Sequence, residues 1–598
     1  MKTIVKKGFL ILSLSCLSLS SCDPIKNKKK VNTQLSEDFN ELLVENPSVS
    51  EALTNQVKDG GLYQEFKNPE ELRSVDGKLE TTLNVEMTTH TIYSFPEATL
   101  SGEPITMKHR SYNGKLCGPV LRIKRGDSLV VNMVNNLPNN TGVPIVPCSN
   151  NNCDSLVLNP THEHTNEKDT TRYNVTNLHM HGFHVSPNDH SDNIFAEIYP
   201  SWHFQNRYLI PQNHAEGTFW YHAHVHGSTD IQVSSGMAGA VIIEGGLDTL
   251  DQIKAMDEKI FLLQQMSYAK DDTNAIKSIN TDRENSVYHT MINGQTTPIL
   301  RMQAQEVQRW RFVHAGVRAA IKLNLLSKSI NEESGEEEIH QHLFYPIAED
   351  GVAYGYRDEV YNMTLQPGYR ADILVKADVE AHDTLYLIDE STEALGNISK
   401  DSIQEKNQLL AIIVVEEKTK EVATIVPSSE ELAPYAPFKS LAGVTPTDPY
   451  VQACNFNIQL PDTTSTPAIP LEFQVNGYPF TTDSIILAQI GAVQDWELTS
   501  SFVDHPFHIH VNHFQILEID GKKLERPKWK DTYMVEEGTV TKIRTIYEDF
   551  EGAFVIHCHI LEHEDMGMMH TVAIVDDKQA YLKDKALWKQ WSWCISTK

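Results

Sequence analysis

The stretch "NGKLCGPVLRIKRGDSLVVNMVN", residues 113–135, opens on an Asn-Gly pair. Asn-Gly suits a tight hairpin turn because both of its central residues take positive φ. A short apolar strand follows, then a break at Arg125-Gly126-Asp127, then a second run that alternates apolar and polar side chains. The same order returns in "NGQTTPILRMQAQEVQRWRFVH" (293–314) and in "NGYPFTTDSIILAQIGAVQDWELT" (476–499). The copies lie about 180 residues apart, well beyond the period of a solenoid repeat, so they predict three related modules. Elsewhere short Val, Ile, Leu and Thr runs alternate with Gly, Pro and Asn turns, and long amphipathic helical patterns are scarce. That pattern predicts an all-β chain of consecutive Greek-key β-sandwich or barrel domains.

A chain of 598 residues accommodates three or four ordinary domains. The expected division is 76–247, 248–425 and 450–577, with a tether and arm over 22–75 and a C-terminal tail over 578–598. "EGGLDTLDQ" (244–252) suggests the first boundary, and the Pro- and Ser-rich stretch 426–449 a long, soft second linker. The acidic insert "SINEESGEEEIHQ" (329–341) is expected to be an exposed loop.

A formal net charge of -29 argues against nucleic acid, whose phosphates demand a basic face. It suits a solvated surface or a field that attracts cations. The N-terminus begins with Lys2, Lys6 and Lys7 and continues in an apolar run, Phe9 to Leu19, too short to span a bilayer comfortably. Residues 1–21 therefore predict a signal peptide. Leu19-Ser20-Ser21-Cys22 resembles the lipobox of bacterial lipoproteins, which implies cleavage before Cys22 and lipid on its thiol. Export permits disulfides. Cys148 and Cys153 could close a local loop; the pairing of Cys117, Cys454 and Cys594 does not follow from the sequence.

The chemistry gathers in four places: "NLHMHGFHV" (His179, His181), "GTFWYHAHVHG" (His222, His224), "HPFHIHVNHF" (His505, His508, His510) and "HCHILEHEDMGMM" (His557, Cys558, His559, His563, Met568). On a strand, residues i and i+2 share a face, so each His-x-His aims two imidazoles at one place. Imidazole suits copper, zinc, nickel or iron, and eight such ligands call for several metals. Cys558, by contrast, points to the other side of its strand. Together with His505, His563 and Met568 it makes the two-His, one-Cys, weak-Met set of a blue-copper site. One short segment would thus join two sites.

At these residues the chain resembles the multicopper oxidases, over roughly 85–577. The resemblance implies three cupredoxin-like domains and four coppers. It implies a type 1 copper on His505, Cys558, His563 and Met568, and a type 2 copper on His179 and His508. The type 3 pair would take His181, His222 and His559, and His224, His510 and His557. It also implies proton couriers at Asp192 and Glu564, with Asp189 a competitor for the first role. The middle module resembles the family in "AEDG" (348–351) and "LQPGYRADILV" (365–375) but carries no copper motif.

His184, His226, His513 and His570 adjoin the motifs but fall outside that register, and Met566 and Met569 read as packing residues. A structural zinc protein would use four ligands per ion, which this constellation does not fit. The expected reaction is one-electron oxidation of a small reducing substrate, with dioxygen reduced to water. Electrons are expected to reach the type 1 site through an exposed edge of His505 or His563. "SSFVDHPFHIH" has Asp504, not Met, before His505, and the chain has no Met-rich insert. The family's cuprous oxidases commonly carry both, so the resemblance, with this departure, implies phenols or aromatic amines as donors; the alternatives are Cu(I), Fe(II) or Mn(II) oxidation, or copper sequestration. A complete cluster within one chain permits a monomer.

Overall fold

The structure, a computed structural model, describes residues 28–31, 33–44, 64–94, 103–139, 157–158, 172–269, 276–279, 286–390, 407–462, 464–465, 469–481 and 484–583. The signal peptide, Cys22, Cys148, Cys153 and Cys594 lie outside these residues. Cys117 and Cys454 are free thiols.

Each Asn-Gly pair does the same job three times. Asn113, Asn293 and Asn476 have φ of 54°, 56° and 55°. Each side-chain oxygen accepts a backbone N–H of a neighbouring strand, from Asn84, Leu262 and Asn455, at 2.8, 2.8 and 2.9 Å. Each side-chain amide donates to a carbonyl two residues earlier on that strand, Thr82, Ile260 or Ala453. The clamped strands, Lys78–Ser94, Glu258–Ala269 and Gln452–Gln459, each pair in parallel with the alternating strand of their own repeat. A second parallel pair closes the opposite sheet of each domain: Val120–Lys124 with Ala238–Glu244, Ile299–Gln303 with Gln408–Glu416, and Ile485–Gln489 with Met569–Val575. The result is three cupredoxin-like β-sandwiches, with cores around Leu83 and Phe204, around Phe261 and Leu323, and around Phe456 and Phe507. Burying one such side chain stabilises by roughly 1.5–3 kcal/mol.

The divisions differ from expectation in several places. Glu71–Arg73 pairs with Val120–Arg122, so the first domain begins inside the expected arm. Part of that arm is docked rather than a tether: Lys28–Lys30 adds to the strand Glu337–His342, and the helix Thr33–Val44 buries Leu35 and Phe39 against the middle domain. Ile276–Ser278 of the middle region pairs in parallel with Thr106–Lys108 of the first domain. The acidic insert is a hairpin, Ile321–Ile330 with Glu337–His342, and not a loop throughout; Ile339 is buried because its strand alternates. The second linker is a strap. A capping box of Ser428 and Glu431 starts the helix Ser429–Leu432, Leu432 and Leu441 are buried, and Arg544 donates to the Leu441 carbonyl. Its Pro and Ser content predicted a soft linker, while side-chain capping and burial fix its path.

Candidate metal centre

In the first domain, His179–His181 forms an edge strand against Thr218–His222, with His222 opposite His179 and Trp220 opposite His181. In the third, His505–Ile509 lies against Gly552–Cys558, with His508 opposite His557 and Phe507 opposite Cys558. In both pairs alternation along the strand sends the histidines into one interdomain space. The His179 and His510 rings stack at 3.8 Å and 11°, and His181 and His508 at 3.8 Å and 9°. His557 Nε2 stands 3.2 Å from His224 Nε2 and 3.3 Å from His510 Nε2. His181, His222 and His559 offer nitrogens within 4.8 Å of one another. All eight rings are buried.

The outer nitrogens decide what the inner ones can do. His179 Nδ1 donates to Asp192 Oδ2 at 2.9 Å, His222 Nδ1 to the Ala223 carbonyl, and His508 Nδ1 to the Asp531 carbonyl at 2.9 Å. Each leaves Nε2 as a bare lone pair, and none of these three Nε2 atoms has a hydrogen-bond partner among the described residues. His181 is turned the other way: Nε2 faces the Asp531 carboxylate at 3.2 Å, and Nδ1 has no such partner. Burial and neighbouring imidazoles hold His179, His181, His508, His510 and His559 far below the ordinary imidazole range. Neutral imidazole is the metal-binding form, so the donor set fits soft or borderline transition metals such as copper.

A second group lies on the other side of the strand. Cys558 Sγ is 3.4 Å from His505 Nδ1 and 3.8 Å from His563 Nδ1, and the two nitrogens are 3.3 Å apart. A trigonal ion roughly 2.0–2.3 Å from each atom needs edges of about 3.5 Å, so this triangle fits one. His505 Nε2 donates to the Phe502 carbonyl, which fixes Nδ1 toward the triangle. Met568 shares the Cys558 core cluster, whereas Met569 packs with Ile194, Phe480 and Val555. The backbone closes the loop, Cys558 N–H to the Met568 carbonyl and Met568 N–H to the His563 carbonyl. One expectation fails here. His505 and His563 are both 0% exposed and pack against the buried rings of Phe456 and Phe473, so neither presents an edge to solvent.

Two carboxylates abut the histidine cluster in opposed settings. Asp192 also accepts the Met180 N–H, and burial pushes it up to about 8. Glu564 touches His557 Nδ1 at 3.0 Å and His224 Nδ1 at 3.3 Å and accepts Thr229 Oγ1–H; although burial opposes it, those histidines hold it well below the usual carboxylate range. Asp189 stands exposed on a turn. His184 and His570 have both ring nitrogens engaged elsewhere, and His513 faces the Asp350 carbonyl.

Sequence reasoning missed Asp531, Thr532 and Arg370. Thr532 Oγ1 lies 3.1 Å from both His181 Nε2 and His508 Nδ1, and Arg370 of the middle domain forks onto the Asp531 carboxylate. Nothing in "KWKDTYMV" (528–535) has ligand spacing; only the Asp-to-Arg pairing across domains reveals them.

Three cupredoxin-like domains, with a histidine cluster shared by the first and third, define a copper-dependent oxidoreductase that uses dioxygen. The chain belongs to the multicopper oxidases: that family's models match residues 98–149 and 163–247, and residues 448–578. It is 24% identical over 484 residues to multicopper oxidase mco of Staphylococcus aureus, covering 77% of this chain and 83% of that one. It is 22% identical to a Bacillus subtilis laccase, covering 85% and 97%. Among solved structures, the fold matches a Campylobacter jejuni multicopper oxidase described as a metallo-oxidase, with a TM-score of 0.61 at 20% identity, covering 87% and 99%.

Proposed function

We propose that this oxidase holds four coppers and is laccase-like, taking single electrons from phenols or aromatic amines. His505, Cys558, His563 and Met568 would hold the type 1 ion and His179 and His508 the type 2 ion. His181, His222 and His559, with His224, His510 and His557, would hold the type 3 pair. The carrying observation is the Gly552–Cys558 strand end, where Cys558 serves the triangle while His557 and His559 join the cluster. Copper bound there supplies one-electron transfer at the triangle and dioxygen reduction at the cluster.

The protein's own residues do the rest. Cys558 joins the two groups covalently through its own backbone. His505 and His563 are both buried, so a donor must deliver its electron through the residues that separate them from the surface. Asp192 Oδ2 holds the Nδ1 proton of His179 and the Cys558 carbonyl that of His557, which keeps the opposite nitrogens aimed inward, while Glu564 stands beside the Nδ1 atoms of His224 and His557. The same two carboxylates are the couriers for protons consumed in making water. Oxygen uptake measured with a phenol, an aromatic amine, Cu(I), Fe(II) and Mn(II) tests the substrate reading. Faster turnover of a metal ion than of either organic donor would replace it with metallo-oxidase activity. We also read residues 1–22 as an export signal ending in a lipidated cysteine; radiolabelled palmitate should enter the parent and not Cys22→Ser.

A further inference from the structure

The middle domain contributes no histidine to the cluster, yet one of its side chains reaches to within one residue's reach of it. Arg370, on the strand Arg370–Lys376, is 0% exposed. Its Nη1 donates to Asp531 Oδ1 at 2.8 Å and to the Gly368 carbonyl at 3.0 Å, and its Nη2 donates to Asp531 Oδ2. Asp531 in turn serves two histidines from different domains. Its Oδ1 accepts His181 Nε2 at 3.2 Å, and its carbonyl accepts His508 Nδ1 at 2.9 Å. Thr532 ties the pair together. Its hydroxyl donates to Asp531 Oδ1 at 2.8 Å, so it can only accept from the two imidazole N–H groups beside it.

The middle domain also fixes the backbone of this hinge. Asp350 Oδ2 accepts the N–H groups of Asp531 and Thr532 at 3.2 and 3.3 Å, and Lys530 Nζ stands 3.2 Å from that oxygen. Two buried carboxylates and two buried cations therefore balance, which keeps the group from carrying an unpaired buried charge. Gly182, next to His181, has a φ of +84°, and a Cβ there would collide with both the Arg370 guanidinium and the Asp531 carboxylate. The chain leaves room for this contact at the residue adjoining a cluster histidine.

We propose that Arg370 is a positioning residue through which the copper-free middle domain, acting by way of Asp531 and Thr532, sets the ring orientation of His181 and His508. It rests on the reading of the cluster as a copper site. Holding Nε2–H of His181 and Nδ1–H of His508 selects opposite tautomers for two stacked rings, an outcome that ordinary packing does not enforce.

The test uses the full-length, copper-loaded protein with Arg370→Lys, which keeps the charge and removes the fork, and Asp531→Asn, which keeps the shape. Expected for both is an unchanged blue type 1 band, a type 2 electron paramagnetic resonance signal with altered hyperfine splitting, and roughly 10- to 100-fold weaker retention of cluster copper against a chelator. The kcat should fall while KM for the electron donor stays, because the donor meets the other site. Thr532→Val removes one hydroxyl and serves if either charged variant fails to fold; it should shift the same signal by a smaller amount. Parental type 2 signal and copper retention in the folded variants would overturn the proposal, as would a loss of thermal stability with the signal unchanged. If the parent itself holds no cluster copper, the underlying reading has failed instead.

Discussion

At the scale of single residues, environment and not residue type assigns the roles. Met566, Met568 and Met569 are chemically alike, but only Met568 combines full burial with a place in the Cys558 core cluster. A thioether is a weak donor that favours Cu(II), so Met568→Leu should raise the type 1 reduction potential while the blue colour persists, measured by redox titration. A shift in Met566→Leu with none in Met568→Leu would move the axial assignment by two residues. Asp192 and Glu564 are buried; Asp192 accepts from His179, and Glu564 stands 3.0 Å from His557 Nδ1. Asp192→Asn and Glu564→Gln keep an acceptor oxygen in place and, unlike Asp531→Asn, break no buried pair with arginine, so they should keep copper and colour yet slow turnover, on the order of a hundredfold. Stopped-flow absorbance during turnover in air should show the type 1 site accumulating in its reduced form; turnover at the parent rate would remove these carboxylates from the proton path. The histidine motifs were legible in sequence because alternation on a strand is a local rule. Asp531 and Arg370 were not, since their meaning depends on two domains meeting.

At the scale of elements, the Asn-Gly turn is the unit that builds each domain. The asparagine occupies positive φ and bonds the neighbouring strand through both ends of its amide. Asn476→Ala loses those bonds and keeps the strained φ, so it should destabilise the third domain by about 2–3 kcal/mol. Chemical denaturation followed by tryptophan fluorescence measures this, and an effect below about 0.5 kcal/mol would make the clamp incidental. Turn chemistry was readable because Asn-Gly states it outright. The docked arm and the strap were not: Leu35, Phe39, Leu432 and Leu441 look like scattered apolar residues until the surface that covers them is known. The burial of His505 and His563 escaped notice for the same reason, since the residues that pack over them come from distant parts of the chain.

At the scale of the molecule, charged interfaces join the three domains and make their association pH-dependent. At the first boundary Asp248 is held at about 2; burial opposes this, and Arg311 and Arg309 outweigh it. Between the middle and third domains Glu349 is held at about 2 in the same way by Lys530 and Lys528. Both carboxylates are depressed in the folded state, from 3.8 and 4.5. Their stabilisation is therefore complete above about pH 4.5 and is lost as pH falls from there toward 2. Thermal scans should show a melting temperature that is flat near neutrality and declines below about pH 4.5; Glu349→Gln, which mimics the protonated carboxyl, should melt lower at neutral pH and lose less on acidification. A melting temperature constant down to pH 3 would contradict this. The central claim is that Cys558 alone links a type 1 copper to a separate three-copper cluster, and copper analysis combined with electron paramagnetic resonance on the parent and Cys558→Ser tests it most directly. The parent should be blue with four coppers per chain and show type 1 and type 2 signals. Cys558→Ser should be colourless, keep the type 2 signal and the cluster copper, and no longer oxidise substrate. A Cys558→Ser protein that stays blue, or one that loses the cluster copper while remaining folded, would contradict the account.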